Sequence, residues 1–456
     1  MSLGEIGRAV ADAAGMPPEL SVDDPLQGVP WASTLPVAQL ALDSVALSSA
    51  AMNLARVARG LGGAGPVRVD PQRVAASFGS ERLLRVDGEP PSAWAPLSGF
   101  WRTADGWVRT HANYPHHERA LRAVVGVASD AHRDDVAASI ARLDALDLED
   151  RAAASGAIVS AVRSPAEWRR HPQAAALDTR PLVAVARTGD AAPRAWGGGE
   201  TPLSGVRVLD LTRVIAGPVA ARDLALAGAD VLRIDSPRLP ETPWIHLDTG
   251  QGKRSALLDL DLPADRAVLE ELLGVADVVL TGYRPGALIR FGLGPEQLAA
   301  RHPGVVTASV SAWGVAGPWA HRRGFDSIVQ AATGIGLRES ADADSPGALP
   351  VQAFDHSTGH FLAAAITTAL VEQRRRGGSL DVRMSLARVA HALLDAAPAV
   401  QPLADAGALP TRERRLPGGR TLRYAPPVLA FAGAPDDYPE VGRAWGADPP
   451  VWSAIG

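Results

Sequence analysis

From residue 206 onward, apolar runs of strand length alternate with stretches of helical periodicity, and this alternation restricts the fold more than any other feature of the chain. Residues 206–211 (VRVLDL) read as a strand, 219–227 as a helix and 231–234 as a second strand. The rhythm continues through a strand at 257–260, a helix at 264–274, and strands at 278–280 and 305–310. Apolar-rich strands that alternate with helices argue a parallel sheet, because each crossover helix returns the chain to the same end. The expected class is therefore α/β, a doubly wound, mostly parallel, Rossmann-like sheet. A later helix at 358–374 ends in three arginines and two glycines, cations where the helix dipole favours them and residues suited to the stop. A strand at 382–386 and a helix at 386–395 follow.

The first half reads differently. Residues 1–30 are polar, interrupted by proline and expected to be loosely ordered, whereas 36–60 is alanine-rich with apolar positions at helical spacing. Residues 82–88 and 100–110 resemble short strands, the second with an Asp105-Gly106 turn, and 115–176 suggests several short helices. The glycine- and proline-rich segment 193–202 has the composition of a linker. The expected organisation is a helical and irregular segment at 1–95, a smaller α/β domain at 96–195, the core at 196–395 and a wrapping tail at 396–456.

Composition excludes several chemistries. The 456 residues contain no cysteine, which removes disulfide frameworks, cysteine-ligated metal and thiol nucleophiles. A net charge of −5 gives no global attraction to nucleic acid. The strongly apolar stretch 361–371 is far shorter than the ~20 residues of a membrane span. The opening residues lack a basic region followed by an apolar core. A protein of the cytoplasm is expected. Lys253 is the only lysine among 45 basic residues, and its persistence marks it for attention.

The turn after the first core strand runs Leu211 to Pro218 and lacks the G-x-G-x-x-G that dinucleotide binding needs. It can still receive an anion, since a helix N-terminus follows and Arg213 is adjacent. Gly292-Leu293-Gly294 and Gly197-Gly198-Gly199 have no following Lys-Ser/Thr and read as turns. His111, His116 and His117 form the one histidine cluster; their spacing does not suit a metal, and exposed surface positions are expected. Asp355, His356 and Ser357 are consecutive, so they cannot converge as a hydrolase triad. Asp355 reads either as the N-cap of the long helix or as a nucleophile kept ionised by the helix dipole and free amides.

An ordered set of motifs carries a resemblance. PLSGVRVLDLTRVIAGP (202–218) is followed by LAGADV (226–231), GKRS (252–255) with LDL (258–260), ADVV (276–279), RPG (284–286) and FGL (291–293). SAWG (311–314) and GFDSIVQA (324–331) complete it. Across about 202–392 the chain resembles the family III CoA-transferases, the CaiB/BaiF family. The resemblance implies that Asp355, four residues before Gly359, is the nucleophile that carries a mixed anhydride and then an aspartyl-CoA thioester. It also implies contacts to CoA from Arg213, Val214, Ile215, Ala216, Leu258, Gly282, Tyr283, Arg284 and Arg290. Acyl-CoA and a small carboxylic acid are the implied substrates, with no metal and no resident cofactor, and a homodimer is the implied assembly. For Tyr283 adenine stacking stands against local packing, and for Lys253 a phosphate-side or structural ion-pair role stands against a solvated residue.

In the family the small domain follows the start of the core. Here FWRTADGWV (100–108) and SPAEW (164–168), which resemble it, come first. Gly197–Gly199 is the one candidate for the family's glycine-rich lid. Two alternatives stand beside the transferase. An acyl-CoA racemase of the same fold would need a histidine where this chain has Phe325, with His356 and His321 the substitutes nearby. A catalytically silent CoA-binding protein is the other.

Overall fold

The structure, a computed structural model, describes residues 3–17, 29–342, 344–397 and 407–453. Seven strands form the central sheet: β1 (Ala184–Gly189), β2 (Arg207–Leu211), β3 (Asp230–Asp235), β4 (Arg254–Leu257), β5 (Val278–Thr281), β6 (Val306–Ser311) and β7 (Ser379–Ser385). Their order is β1-β7-β6-β5-β2-β3-β4, parallel except for β1, which runs antiparallel along β7. The alternation along β2 explains why both faces must be covered. Leu209 and Leu211 join Leu232, Ile234 and Val279 in one buried cluster with Leu269, Leu272 and Leu273. Val208, Val231, Val278 and Leu280 face the other way into the main core. The expected doubly wound, mostly parallel sheet is present.

Five helices frame the site and the core beneath it: α1 (Val37–Ala58), α2 (Ala216–Leu226), α3 (Asp326–Thr333), α4 (Ala353–Arg376) and α5 (Leu386–Asp395). Helix α1 lies along α4, and α4 along α2, so α1 belongs to the main core. By length and composition α1 is apolar enough to cross a membrane, but 89% of its apolar window is buried inside the protein. The smaller unit has its own core. Strands Gly99–Arg102, Trp107–Thr110 and Val159–Ala161 form an antiparallel sheet whose Trp101 and Val108 pack with Leu121, Ile140 and Leu148.

Several boundaries differ from the sequence expectation. Residues 184–189, expected in the small domain, are the edge strand β1 of the central sheet. The expected strand at 82–88 shrinks to Arg85–Val86, because Ser80–Leu83 continues the preceding helix past Gly79. The N-terminal segment expected to be loosely ordered contains a helix, Glu5–Ala13. Its Gly7 sits where any Cβ would meet the Asp43 carboxylate at 2.5 Å, and Gly4 N–H donates to Asp43 Oδ2. The rest of that segment, 18–28, lies outside the described residues. Residues 440–452 bond to the core: Gly252 N–H donates to Glu440 O, Ser255 N–H to Asp448 Oδ2, and Trp452 Nε1 to Leu272 O.

Lys253 is not solvated but makes a structural ion pair, one of the roles expected of it. Its side chain is 1% exposed, with Nζ 3.0 Å from Asp210 Oδ2 and 2.9 Å from the Pro218 carbonyl oxygen. It therefore ties the end of β2 to the first turn of α2. Removing one partner of a buried ion pair strands the other charge without water. Lys253→Met is expected to destabilise the protein by about 3–5 kcal/mol, and Asp210→Leu added to it to recover part of that loss. Urea denaturation measures both; a single substitution that leaves the midpoint unmoved contradicts the pairing.

A candidate active site at the switch point of the sheet

Strand order reverses between β2 and β5. From β2 the chain moves outward through β3 and β4, and from β5 it moves the other way through β6 and β7. The segments leaving the carboxyl ends of β2 and β5 therefore diverge, and a crevice opens between them, the usual ligand position in a sheet of this kind. A cavity of about 320 Å³ lies there. Its walls include Arg213, Val214, Ile215, Ala216, Gly282, Tyr283 and Arg284, and also Asp355.

The turn after β2 is held in an unusual conformation. Val214 has φ +69°, an outlier for a β-branched residue and a sign of local constraint. The amide of Val214 donates to Glu241 Oε2 at 3.1 Å, and Thr212 N–H to Asp210 Oδ1 at 2.9 Å. Burial alone would raise the Glu241 carboxyl, but Arg233 and Arg213 outweigh it and hold it at about 2. Arg213 also sits over the Tyr114 ring, 5.1 Å from its centroid. Behind this anchored turn, the N-terminus of α2 opens on the cavity through Ala216 and Gly217.

Asp355 is not the helix N-cap. Helix α4 begins at Ala353, five residues earlier than expected, and Gln352 occupies the cap position without a side-chain bond. The capping acceptor comes from another element: Asp326 Oδ2 accepts from the amides of Phe354 at 2.7 Å and Asp355 at 3.0 Å. Gln330 Nε2 donates to the other oxygen of Asp326. The amides expected to keep Asp355 ionised are thus taken by its neighbour. Burial, and then the Asp326 charge, push the Asp355 carboxyl well above the usual carboxylate range. Asp326 is itself raised to about 6 by burial, against the opposing effect of Gln330 and the two amides.

The D-x-x-x-G spacing has a packing reason. Gly359 lies one turn after Asp355, and a Cβ there would come within 2.6 Å of the Ala216 carbonyl oxygen and 2.8 Å of Val219 Cβ. Glycine lets α4 approach the N-terminus of α2 closely enough for both to border one cavity. Gly359→Ala is expected to destabilise the protein by about 1–3 kcal/mol through overpacking. It should also weaken the CoA binding that the resemblance implies for the 213–216 turn, by displacing that turn. Denaturation and calorimetric titration with CoA check the two effects; unchanged values in both contradict the packing argument.

Two of the sequence-predicted contacts are not at the cavity. Leu258 is 4% exposed and belongs to the apolar cluster behind β3 and β4. Arg290 lies on the surface, paired with Asp261 at 2.8 Å and set over the Phe291 ring. Arg284 is exposed and donates to the His321 carbonyl. Tyr283 packs against the apolar cluster, the local role expected as one alternative, and it also walls the cavity. Gly197–Gly199 does not border the cavity; Arg59 binds the carbonyls of Gly197 and Gly199.

The histidine cluster departs furthest from expectation. His111 and His117 are each 5% exposed, and His116 and His117 wall the cavity with Asp355. Docking of the small domain buries them: the His111 ring stacks on Phe325 at 3.7 Å between centroids. His321 and His356 do not border this cavity, and His356 stacks instead on Phe78 at 4.9 Å. Other wall residues that sequence reasoning missed are Tyr114, Leu239, Arg322 and Arg323. Among the described residues, no group of three or more His, Asp or Glu side chains is placed to hold a metal ion.

Comparison with known proteins bears on the same half of the chain. Residues 203–438 match the family described as CoA-transferase family III. An acetyl-coenzyme A transferase of Hypoxylon pulicicidum is 36% identical over 200 residues, 42% of this chain and 34% of that protein. An acyl-CoA transferase of Gibberella moniliformis is 31% identical over 323 residues, 65% of this chain and 56% of that protein. A succinate–glutarate CoA-transferase of Agrobacterium fabrum is 33% identical over 211 residues, 42% of this chain and 53% of that protein. The chain thus spans from a third to somewhat over half the length of these relatives.

Proposed function

The chain belongs to CoA-transferase family III, and from that premise we propose that it transfers CoA between an acyl-CoA and a carboxylic acid, with Asp355 as the nucleophile. The observation that carries the proposal is that Asp355 is the one carboxylate among the described residues walling the switch-point cavity, facing the turns after β2 and β5. The activities for which the relatives are named, CoA transfer involving acetyl, acyl and dicarboxylic groups, support the substrate class.

In this reading the ionised Asp355 attacks the thioester carbonyl, and CoA leaves as the thiolate, giving an aspartyl mixed anhydride. The thiolate attacks the aspartyl carbonyl and releases the first acid, leaving an aspartyl-CoA thioester. An acceptor carboxylate then attacks that thioester, and the returning thiolate takes the new acyl group from the resulting anhydride. Four arginines on the walls, Arg213, Arg284, Arg322 and Arg323, favour the anionic ligands this sequence requires. The small domain contributes Tyr114, His116 and His117 to the walls, and excluding water on that side protects the anhydride from hydrolysis.

A second reading is favoured by His116 and His117, which wall the same cavity as Asp355 although position 325 is phenylalanine. An acid–base pair of that kind suits proton exchange at the α-carbon of an acyl-CoA. One experiment separates the readings. The protein is incubated with a panel of acyl-CoAs in deuterated water, quenched with hydroxylamine and mapped by mass spectrometry. A hydroxamate at Asp355 is the expected result. Deuterium at the α-carbon with no modification of Asp355 selects proton exchange instead, and CoA binding with neither signal rejects both.

A further inference from the structure

The small domain sends three side chains to the cavity, Tyr114, His116 and His117, and the transfer chemistry of Asp355 gives them no part. Tyr114 is fixed in place: its hydroxyl donates to Glu241 Oε1 at 2.6 Å, and Glu241 also accepts the Val214 amide. The loop of the small domain is therefore tied to the constrained turn of the core through one carboxylate. Pro115 opens the helix Pro115–Val125, so His117 stands in its first turn, a short distance from the Tyr114 anchor. The His117 ring is 4.0 Å from that of His116 and lies edge-on to Phe325. Its Nδ1 is buried without a hydrogen-bond partner.

A buried imidazole with an unpaired nitrogen is unfavourable unless something completes it. His117 is one of the residues walling the cavity, and the reacting carboxylate Asp355 walls it too. We propose that His117 donates a hydrogen bond from its ring N–H to the acyl oxygen of the substrate during attack by Asp355. The proposal rests on the transferase reading. As the Asp355 oxygen bonds to the thioester carbon, the carbonyl electron pair moves onto oxygen. His117 stabilises that oxyanion and keeps its own proton. Collapse re-forms the carbonyl, breaks the carbon–sulfur bond and leaves the electron pair on the CoA thiolate. The surroundings suit a neutral donor. Burial, and then His116, Arg323 and Arg213, hold the imidazole at about 3, so it keeps a single N–H and has no second proton to pass to the thiolate.

The test is single-turnover formation of the Asp355 adduct from an acyl-CoA, in wild type, His117→Phe and His117→Gln, together with the CoA dissociation constant and the denaturation midpoint of each. His117→Phe is expected to slow adduct formation by roughly 10²–10³-fold, the cost of one oxyanion donor. CoA affinity should stay within about threefold, since the group acts on the developing charge. His117→Gln keeps an N–H donor and is expected to regain at least about tenfold over the phenylalanine variant. Adduct formation in His117→Phe within about threefold of wild type overturns the proposal. So does a loss that the glutamine variant shares in full, because packing alone then accounts for it. Absence of an adduct in wild type is a separate outcome, which removes the transferase reading and this inference with it.

Discussion

Asp355→Asn is expected to lower CoA transfer by roughly four to six orders of magnitude, as loss of a covalent nucleophile does, and at the same time to stabilise the fold. The first effect follows from replacing the attacking carboxylate with an amide of the same shape. The second follows from where the carboxylate sits. Asp355 is 6% exposed, and the amides of the first turn of its own helix donate to Asp326, whose charge it faces. Burial and that neighbour raise its folded-state pKa well above the unfolded value near 4. A raised carboxyl binds its proton more tightly folded than unfolded. Stability therefore falls as pH rises from about 4 towards the folded pKa, the reverse of an ordinary salt-bridged aspartate. Asparagine has no such dependence. Its stabilising effect should be small near pH 4 and grow by up to about 1.4 kcal/mol per pH unit while Asp355 stays protonated in the folded wild type. Thermal unfolding of both proteins between pH 4 and 8 measures this. A pH-independent difference, or a less stable asparagine variant at neutral pH, contradicts the assigned burial. The same displacement requires adduct formation in wild type to rise with pH, because only the ionised form attacks.

What the sequence shows of this site depends on how local each determinant is. The strands 206–211 and 278–280 are legible because short apolar-rich runs recur between helical stretches. Once their parallel order is granted, the crevice at the carboxyl ends of β2 and β5 follows, and seven predicted CoA contacts come to line it. Leu258 and Arg290 do not, because one follows β4, two strands out from the crevice, and the other lies in a surface 3-10 turn, Ile289–Phe291. The start of α4 escapes sequence reading because its cap is Asp326, 29 residues before Asp355, and no local pattern announces an acceptor from another helix. His116 and His117 look like surface residues because polarity is local, whereas their burial comes from docking one unit on another. Lys253 is visible only as a compositional oddity; the partner that explains it, Asp210, lies 43 residues away.

The distant cap leads to the second large expected effect. Asp326 does two things at once: one oxygen holds the amides of Phe354 and Asp355, and its charge opposes ionisation of Asp355. Two substitutions separate these roles. Asp326→Ala removes the acceptor and leaves two buried amides unpaired, at roughly 1–3 kcal/mol each, so a destabilisation of several kcal/mol is expected. With the first turn of α4 released, Asp355 loses its fixed position, and adduct formation should fall by at least about 10²-fold. Asp326→Asn keeps an oxygen for the two amides but turns an amino group towards Gln330, whose own Nε2 donates there now and whose Oε1 holds the Leu349 amide. A cost of about 1 kcal/mol is expected from that conflict. Its effect on chemistry has the opposite character. Removing the charge beside Asp355 lowers the pKa of the nucleophile, so the acid limb of adduct formation should move to lower pH. Below that limb the asparagine variant should outpace wild type. Pre-steady-state rates between pH 5 and 8 decide the matter. An acid limb that stays in place in Asp326→Asn, with both variants merely less stable, would leave Asp326 as a helix cap alone. A shifted limb makes it the residue that sets when Asp355 becomes a nucleophile, because no fold defect moves a titration while leaving the ionised rate intact.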